Sequence, residues 1–175
     1  MSTIATLTVL EGGKPLVFTF DDLMRYHGPG FPGGVAHAFA AMRAAFPLLD
    51  DGNPLERREI SVRTAFRGPG GHDALEMVTR GRSEGRQHIA AELAEPERGQ
   101  TLQNYVFEFS YRGALVTVHV AEDIVWDEFI TLGKKPGRTE EENKRLEWLK
   151  TDMARRILDL PPEQVYRPVP THSPQ

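Results

Sequence analysis

"LQNYVFEFSYRGALVTVHVAEDIVW", Leu102 to Trp126, alternates apolar and polar residues in two runs joined by one turn. Tyr105, Phe107, Phe109 and Tyr111 fall on every second position, as do Val116, Val118 and Val120. A period of two puts each set on one face of a strand, and Arg112-Gly113 reverses the chain between them. The stretch therefore reads as an antiparallel hairpin. "IATLTVL" and "PLVFTF" flank Gly12-Gly13 and read as a second, shorter hairpin. "EISVRTAF" is a further strand with Ile60, Val62 and Thr64 on one face, and "RQHIAAELA" a weaker one. "PLLDDGNPLERRE" between the shorter hairpin and these strands is a polar loop.

Helical patterns lie on both sides of these strands. Thr19 and Asp22 form a capping box at the start of "TFDDLMRYH". In the next helix Val35, Phe39, Met42 and Phe46 make one core-facing stripe, with His37 roughly opposite beside Ala41 and Ala44. A short helix is expected from Asp73 to Arg80, and a helical turn in "DEFITLGKK". Thr139 and Glu142 cap a long final helix whose stripe is Leu146, Leu149, Met153, Ile157 and Leu160, stopped by Pro161-Pro162. The expected class is α+β: an antiparallel sheet packed against N-terminal helices, with a long C-terminal helix. Residues 1–168 form one expected domain, and 169–175 a loose tail.

Composition narrows the chemistry. The 175 residues are 39% hydrophobic and 26% charged, with a net charge of -4 and no long block of one sign. That profile fits a soluble globular chain with no nucleic-acid footprint. Cysteine is absent, which excludes disulfides and thiolate metal sites and leaves His and carboxylates as metal ligands. No stretch reaches the roughly 20 apolar residues that span a bilayer, and the N-terminus lacks the pattern of a signal peptide, so the cytoplasm is the expected compartment. There is no Walker sequence, dinucleotide fingerprint or nucleophile elbow, so no nucleotide cofactor is expected.

Two glycine-proline corners stand out: "HGPGFPGG" before the second helix and "RGPGGHD" before the third. Such clusters serve as plain corners in many proteins. They also let backbone amides approach a ligand, at helix starts that favour anions. If the two corners meet, His27, His72 and Asp73 could converge as the ligands of one divalent metal (zinc, nickel or iron) with a position open for water, and so as the catalytic set. Gly30, Gly33 and Gly34, with His119 from the strong hairpin, are the candidate cofactor-binding residues. His119 alternates with Val118 and Val120 and would serve only if its face turned toward the corners; otherwise it is an ordinary sheet histidine. The acidic group Glu122, Asp123, Asp127 and Glu128 reads first as a strand exit and a helix's acidic first turn. Lys134, Lys135 and Arg138 offer a weaker anion site.

At these same residues the chain resembles the FmdE-like family, which takes its name from a component of formylmethanofuran dehydrogenase. The resemblance rests on "FDDLMRYHGPGFPGG" (Phe20 to Gly34) and "GGHDALEMVTRG" (Gly70 to Gly81), and covers residues 15 to 135. His27, Gly28, Pro32, Gly33, Asp73 and Ala74 match the family pattern; Pro29, Phe31 and Gly70 stand where it carries a histidine and two cysteines. The resemblance implies a compact α+β metal-binding domain, with His72 as a possible replacement ligand and His37 a weaker one. The expected function is a His-based pocket for a divalent metal and a small anionic substrate, with hydrolytic or lyase-type chemistry. The alternative is a metal-free small-molecule-binding module or an accessory subunit, acting as a homodimer.

Overall fold

A computed structural model describes residues 3–170. Strands β1 (Thr6–Glu11) and β2 (Lys14–Thr19) form the first hairpin around Gly12 and Gly13, whose φ values of 57° and 81° are those of a primed turn. Helices α1 (Phe20–His27) and α2 (Pro32–Ala45) follow, then β3 (Leu55–Glu56), β4 (Ser61–Thr64), α3 (Pro69–Thr79) and β5 (Gln87–Ile89). After a short α4 (Gly99–Leu102) come β6 (Val106–Tyr111) and β7 (Ala114–Val120), the hairpin expected from the alternation between Leu102 and Trp126. The chain continues with α5 (Asp127–Lys134), α6 (Glu140–Asp159), α7 (Pro162–Val165) and β8 (Tyr166–Pro168).

The α+β class and the long C-terminal helix are as expected, and both capping boxes form. The sheet differs. There are two sheets among the described residues, ordered β2-β1-β3 and β5-β4-β6-β7-β8, and each contains a parallel pair. Parallel neighbours need a crossover, and α3 supplies it between β4 and β5. The supposed polar loop yields β3, with Leu55 beside Val9. The Glu56 carboxylate then accepts the amides of Gly12 and Gly13 at 3.1 and 2.6 Å, tying the hairpin turn to the loop.

One apolar cluster runs from Leu7 to Tyr166, with α2 at its centre. The expected stripe of α2 is buried, and so is the far side, including Ala36, His37, Ala40 and Ala41. A helix buried all round needs small side chains where other elements approach, and the alanines provide them. The five-stranded sheet covers it with Val62, Phe107, Phe109, Val118 and Val120, and α6 covers it with Met153 and Ile157. No helix among the described residues is long and apolar enough to cross a membrane.

The end of the domain adds a strand that the sequence pattern does not show. Arg167 and Pro168 pair with His119 and Val118, and the Val169 amide bonds to the Thr117 carbonyl at 2.8 Å. Tyr166, just before them, is fully buried. Prolines disguise this strand because they read as loop, yet an edge strand tolerates them. The rest of the expected tail, 171–175, with His172, lies outside the described residues.

Candidate functional site

The two glycine-proline corners meet. Helix α2 starts at Pro32 and α3 at Pro69, each with proline in the first turn and neither with a side-chain cap. Phe31, which precedes α2, holds the left-handed φ of 33°. A Cβ on Gly34 would lie 3.2 Å from the Gly71 amide, and one on Gly70 only 2.7 Å from the Phe31 carbonyl. The two helix starts thus approach backbone to backbone. Helix α3 begins four residues before the expected Asp73, because its glycines serve this contact rather than a turn. Gly70→Ala is expected to destabilise by about 2 kcal/mol: overpacking against backbone costs about 3 kcal/mol, and helix propensity returns about 1. Urea unfolding measures the difference.

A cavity of about 450 Å³ opens beside this contact. Gly33, Gly34 and Gly68 give it backbone walls at the two helix starts, and Phe66, Tyr105, Phe129 and Met153 give it apolar ones. Arg67, Lys134 and Lys150 add cations. The Lys150 ammonium lies 4.5 Å from the centre of the Phe31 ring and 2.9 Å from the Glu147 carboxylate. Its side chain is only 14% exposed, so the cation is held against the cavity rather than free in solvent.

His37 lies at the floor and is completely buried. The Tyr166 hydroxyl donates to its Nδ1 at 2.8 Å, and Nε2 faces the Met153 sulfur at 3.4 Å. Burial, with Arg156 adding to it, lowers the His37 pKa to about 3, so the ring is neutral at pH 7. With Nδ1 accepting, Nε2 carries the proton and meets only a weak thioether acceptor. Tyr105 packs on this ring at 4.6 Å between centroids. Burial raises the Tyr105 and Tyr166 hydroxyls well above the usual tyrosine value, so both keep their protons.

Of the residues singled out in the sequence, Gly33, Gly34, His37 and Lys134 line this cavity, while Gly30, His27, His72 and Asp73 do not. His27 and Asp73 do meet: Nδ1–H of His27 donates to Asp73 at 2.8 Å, and Arg82 donates to the other carboxylate oxygen at 2.8 Å. Burial alone would raise the Asp73 carboxyl, but these two partners outweigh it and hold it below the ordinary carboxylate range. His72 is spent elsewhere. Its Nε2–H donates to the Phe66 carbonyl at 2.6 Å, and the Gln87 amide donates to its Nδ1 at 3.1 Å. The set His27, His72 and Asp73 therefore does not fit an open three-ligand metal site, because one imidazole has both nitrogens bonded and each carboxylate oxygen already accepts a hydrogen bond. Among the described residues no three His, Asp or Glu side chains gather in a way that could hold a metal ion.

His119 is likewise not at the corners. Val118 and Val120 face the core, so His119 turns to the other face of β7, where its Nδ1–H donates to Glu95 at 2.8 Å. In the acidic group, Asp127 accepts from Thr101 and Glu128 pairs with Arg145. Arg138 donates to the Leu132 and Lys135 carbonyls and closes the end of α5. Tyr105, Phe66, Lys150 and Tyr166 carry the site without having been singled out for it. The signal for Tyr105, Phe66 and Lys150 was membership of strands or of the final helix, and Tyr166 lay in a stretch given no element.

The chain matches no protein-family model, and no curated protein matches it.

Proposed function

We propose that this protein binds a small organic anion in the cavity between the α2 and α3 starts, without a metal at His27, His72 and Asp73. The observation that carries the reading is the pair of uncapped helix starts on the wall of one apolar cavity with Lys134 and Lys150 beside them. Unpaired first-turn amides and the helix dipoles favour negative charge there. The aromatic and Met153 walls favour an apolar body over a bare inorganic ion. Kinship to the FmdE-like family belongs to the same proposal. It is supported by the contact of the two glycine-rich segments that carry the resemblance, and it leaves the family's metal aside because Pro29, Phe31 and Gly70 replace ligand positions.

Benzoate and hexanoate titrated into isotopically labelled, chelator-treated protein test the reading. The amides of Gly33, Gly34 and Gly68 are expected to shift with both acids. The double variant Lys134→Gln, Lys150→Gln is expected to weaken binding by about tenfold, the equivalent of about 1.4 kcal/mol. Unmoved glycine amides would sink the proposal. Binding that appears only after zinc, nickel or iron is added would return the function to a metal site.

A further inference from the structure

The polar side chains that line the cavity and remain available are all donors. Arg67, Lys134, Lys150 and Tyr105 donate, and among the described residues no Asp, Glu, Asn, Gln, Ser or Thr lines the space. His37 adds nothing, because both its ring nitrogens already have partners. A molecule that fills such a cavity must itself bring the acceptors.

Charge balance sets how much negative charge it brings. Glu147 matches Lys150 at 2.9 Å. Arg67 and Lys134 line the cavity and have no carboxylate partner among the described residues. Both cations are therefore uncompensated on a wall without an acid, wherever along it each stands. A monoanion balances one of them, and a dianion balances both. Both residues are exposed, so a second charge beside them keeps part of its hydration and escapes the full cost of burial.

The Tyr105 hydroxyl is the buried donor of the set. Tyr105 is only 6% exposed, and its hydroxyl bonds to no described residue. Unpartnered side-chain atoms closed off from solvent occur on Glu11, Gln87 and Arg98 among the described residues, and not on Tyr105. Its oxygen thus reaches open space, and the cavity is a space that Tyr105 lines. Burial raises this hydroxyl well above the ordinary tyrosine value, so it keeps its proton and stays a donor. A nearly buried donor without an acceptor is costly, and a ligand oxygen relieves that cost.

Resting on the anion-binding reading, we propose that the occupant is an organic dianion, a phosphate monoester or a dicarboxylate on an apolar body, one of whose oxygens accepts from the Tyr105 hydroxyl. Tyr105 is then a ligand-contacting residue, and Arg67 with Lys134 sets the preference for two charges over one.

Calorimetric titration at pH 8 with phenyl phosphate, phenyl sulfate and phenylsuccinate tests this on wild type, on Tyr105→Phe and on the double variant Arg67→Gln, Lys134→Gln. Phenyl phosphate carries two charges at that pH and phenyl sulfate one, on nearly the same shape. Wild type is expected to bind the tighter of the two dianions about tenfold better than phenyl sulfate, the effect of one more charge facing two partly screened cations. Whichever of phenyl phosphate and phenylsuccinate binds tighter names the source of the charge. The double variant is expected to bring that dianion and phenyl sulfate to within about twofold. Tyr105→Phe is expected to weaken the dianion about fivefold, the size of one net hydrogen bond, with Tm unchanged because the free chain loses no bond. Phenyl sulfate matching both dianions on wild type would overturn the inference while leaving anion binding in place. So would undiminished dianion affinity in Tyr105→Phe. Failure of all three compounds to bind would overturn it too, and glycine amides unmoved by benzoate would then remove the reading beneath it as well.

Discussion

Tyr166→Ala is expected to cost about 4 kcal/mol of folding stability, the loss typical of emptying a large aromatic site in a core. Tyr166 is wholly buried, packs edge-on to Phe107 at 5.5 Å and gives His37 its hydrogen bond. For a chain of this length the loss corresponds to a fall in Tm of roughly 8–16 °C. Calorimetry reads it directly. Tyr166→Phe separates the two contributions: it keeps the ring and removes the donor, which leaves a buried imidazole nitrogen unpaired at about 1–3 kcal/mol. Were the chain end only loosely attached, the alanine variant would change stability by no more than about 0.5 kcal/mol. That outcome would undo β8 as well as the His37 arrangement.

Acid should destabilise the protein through His37. Its pKa stands at about 3 in the folded chain, against the ordinary 6.5 of an exposed ring. Below 6.5 the unfolded chain takes up a proton that the folded chain refuses, so the contribution of neutral burial is fully present above that value. It is lost progressively as the pH falls toward 3. Each unit in this window removes about 1.36 kcal/mol, or roughly 2 kcal/mol between pH 7 and pH 5 and roughly 3 by pH 4. The groups around the ring do not reverse the sign. Tyr105 and Tyr166 are uncharged, and Arg156 opposes protonation. Urea unfolding at pH 7 and pH 5 measures the slope, with His37→Gln as the control expected to lose it. An unchanged slope in His37→Gln would mean that other groups carry the acid response.

Local rules read most of the frame correctly and missed contacts that only the folded chain creates. Thr19–Asp22 and Thr139–Glu142 were legible because a capping box is a relation among four neighbouring residues. The Val106–Val120 hairpin was legible because alternation and its turn lie within one short stretch. Pro69, Gly70 and Gly71 were read as turn, although they are the first residues of α3; their glycines answer to Phe31 and Gly34, far away in the chain. The side of α2 opposite its stripe was ambiguous because alanine suits both a surface and a tight interior. His37 is therefore buried where periodicity alone set it apart from the core. The two corners do meet, but His27 and His72, the imidazoles chosen there, do not line the cavity beside them. Spacing cannot reveal that a carbonyl such as that of Phe66 has already claimed His72.

The glycine contact between α2 and α3 also settles which part of the cavity wall can yield. Backbone touching backbone leaves no flexible side chain to act as a spring, so those two helices behave as a single stiff jaw. The opposing jaw is α5, which buries none of its residues fully and is fastened by polar ties at its two ends. The part of the wall least held by packing is therefore α5, and the strength of those ties sets how readily it moves.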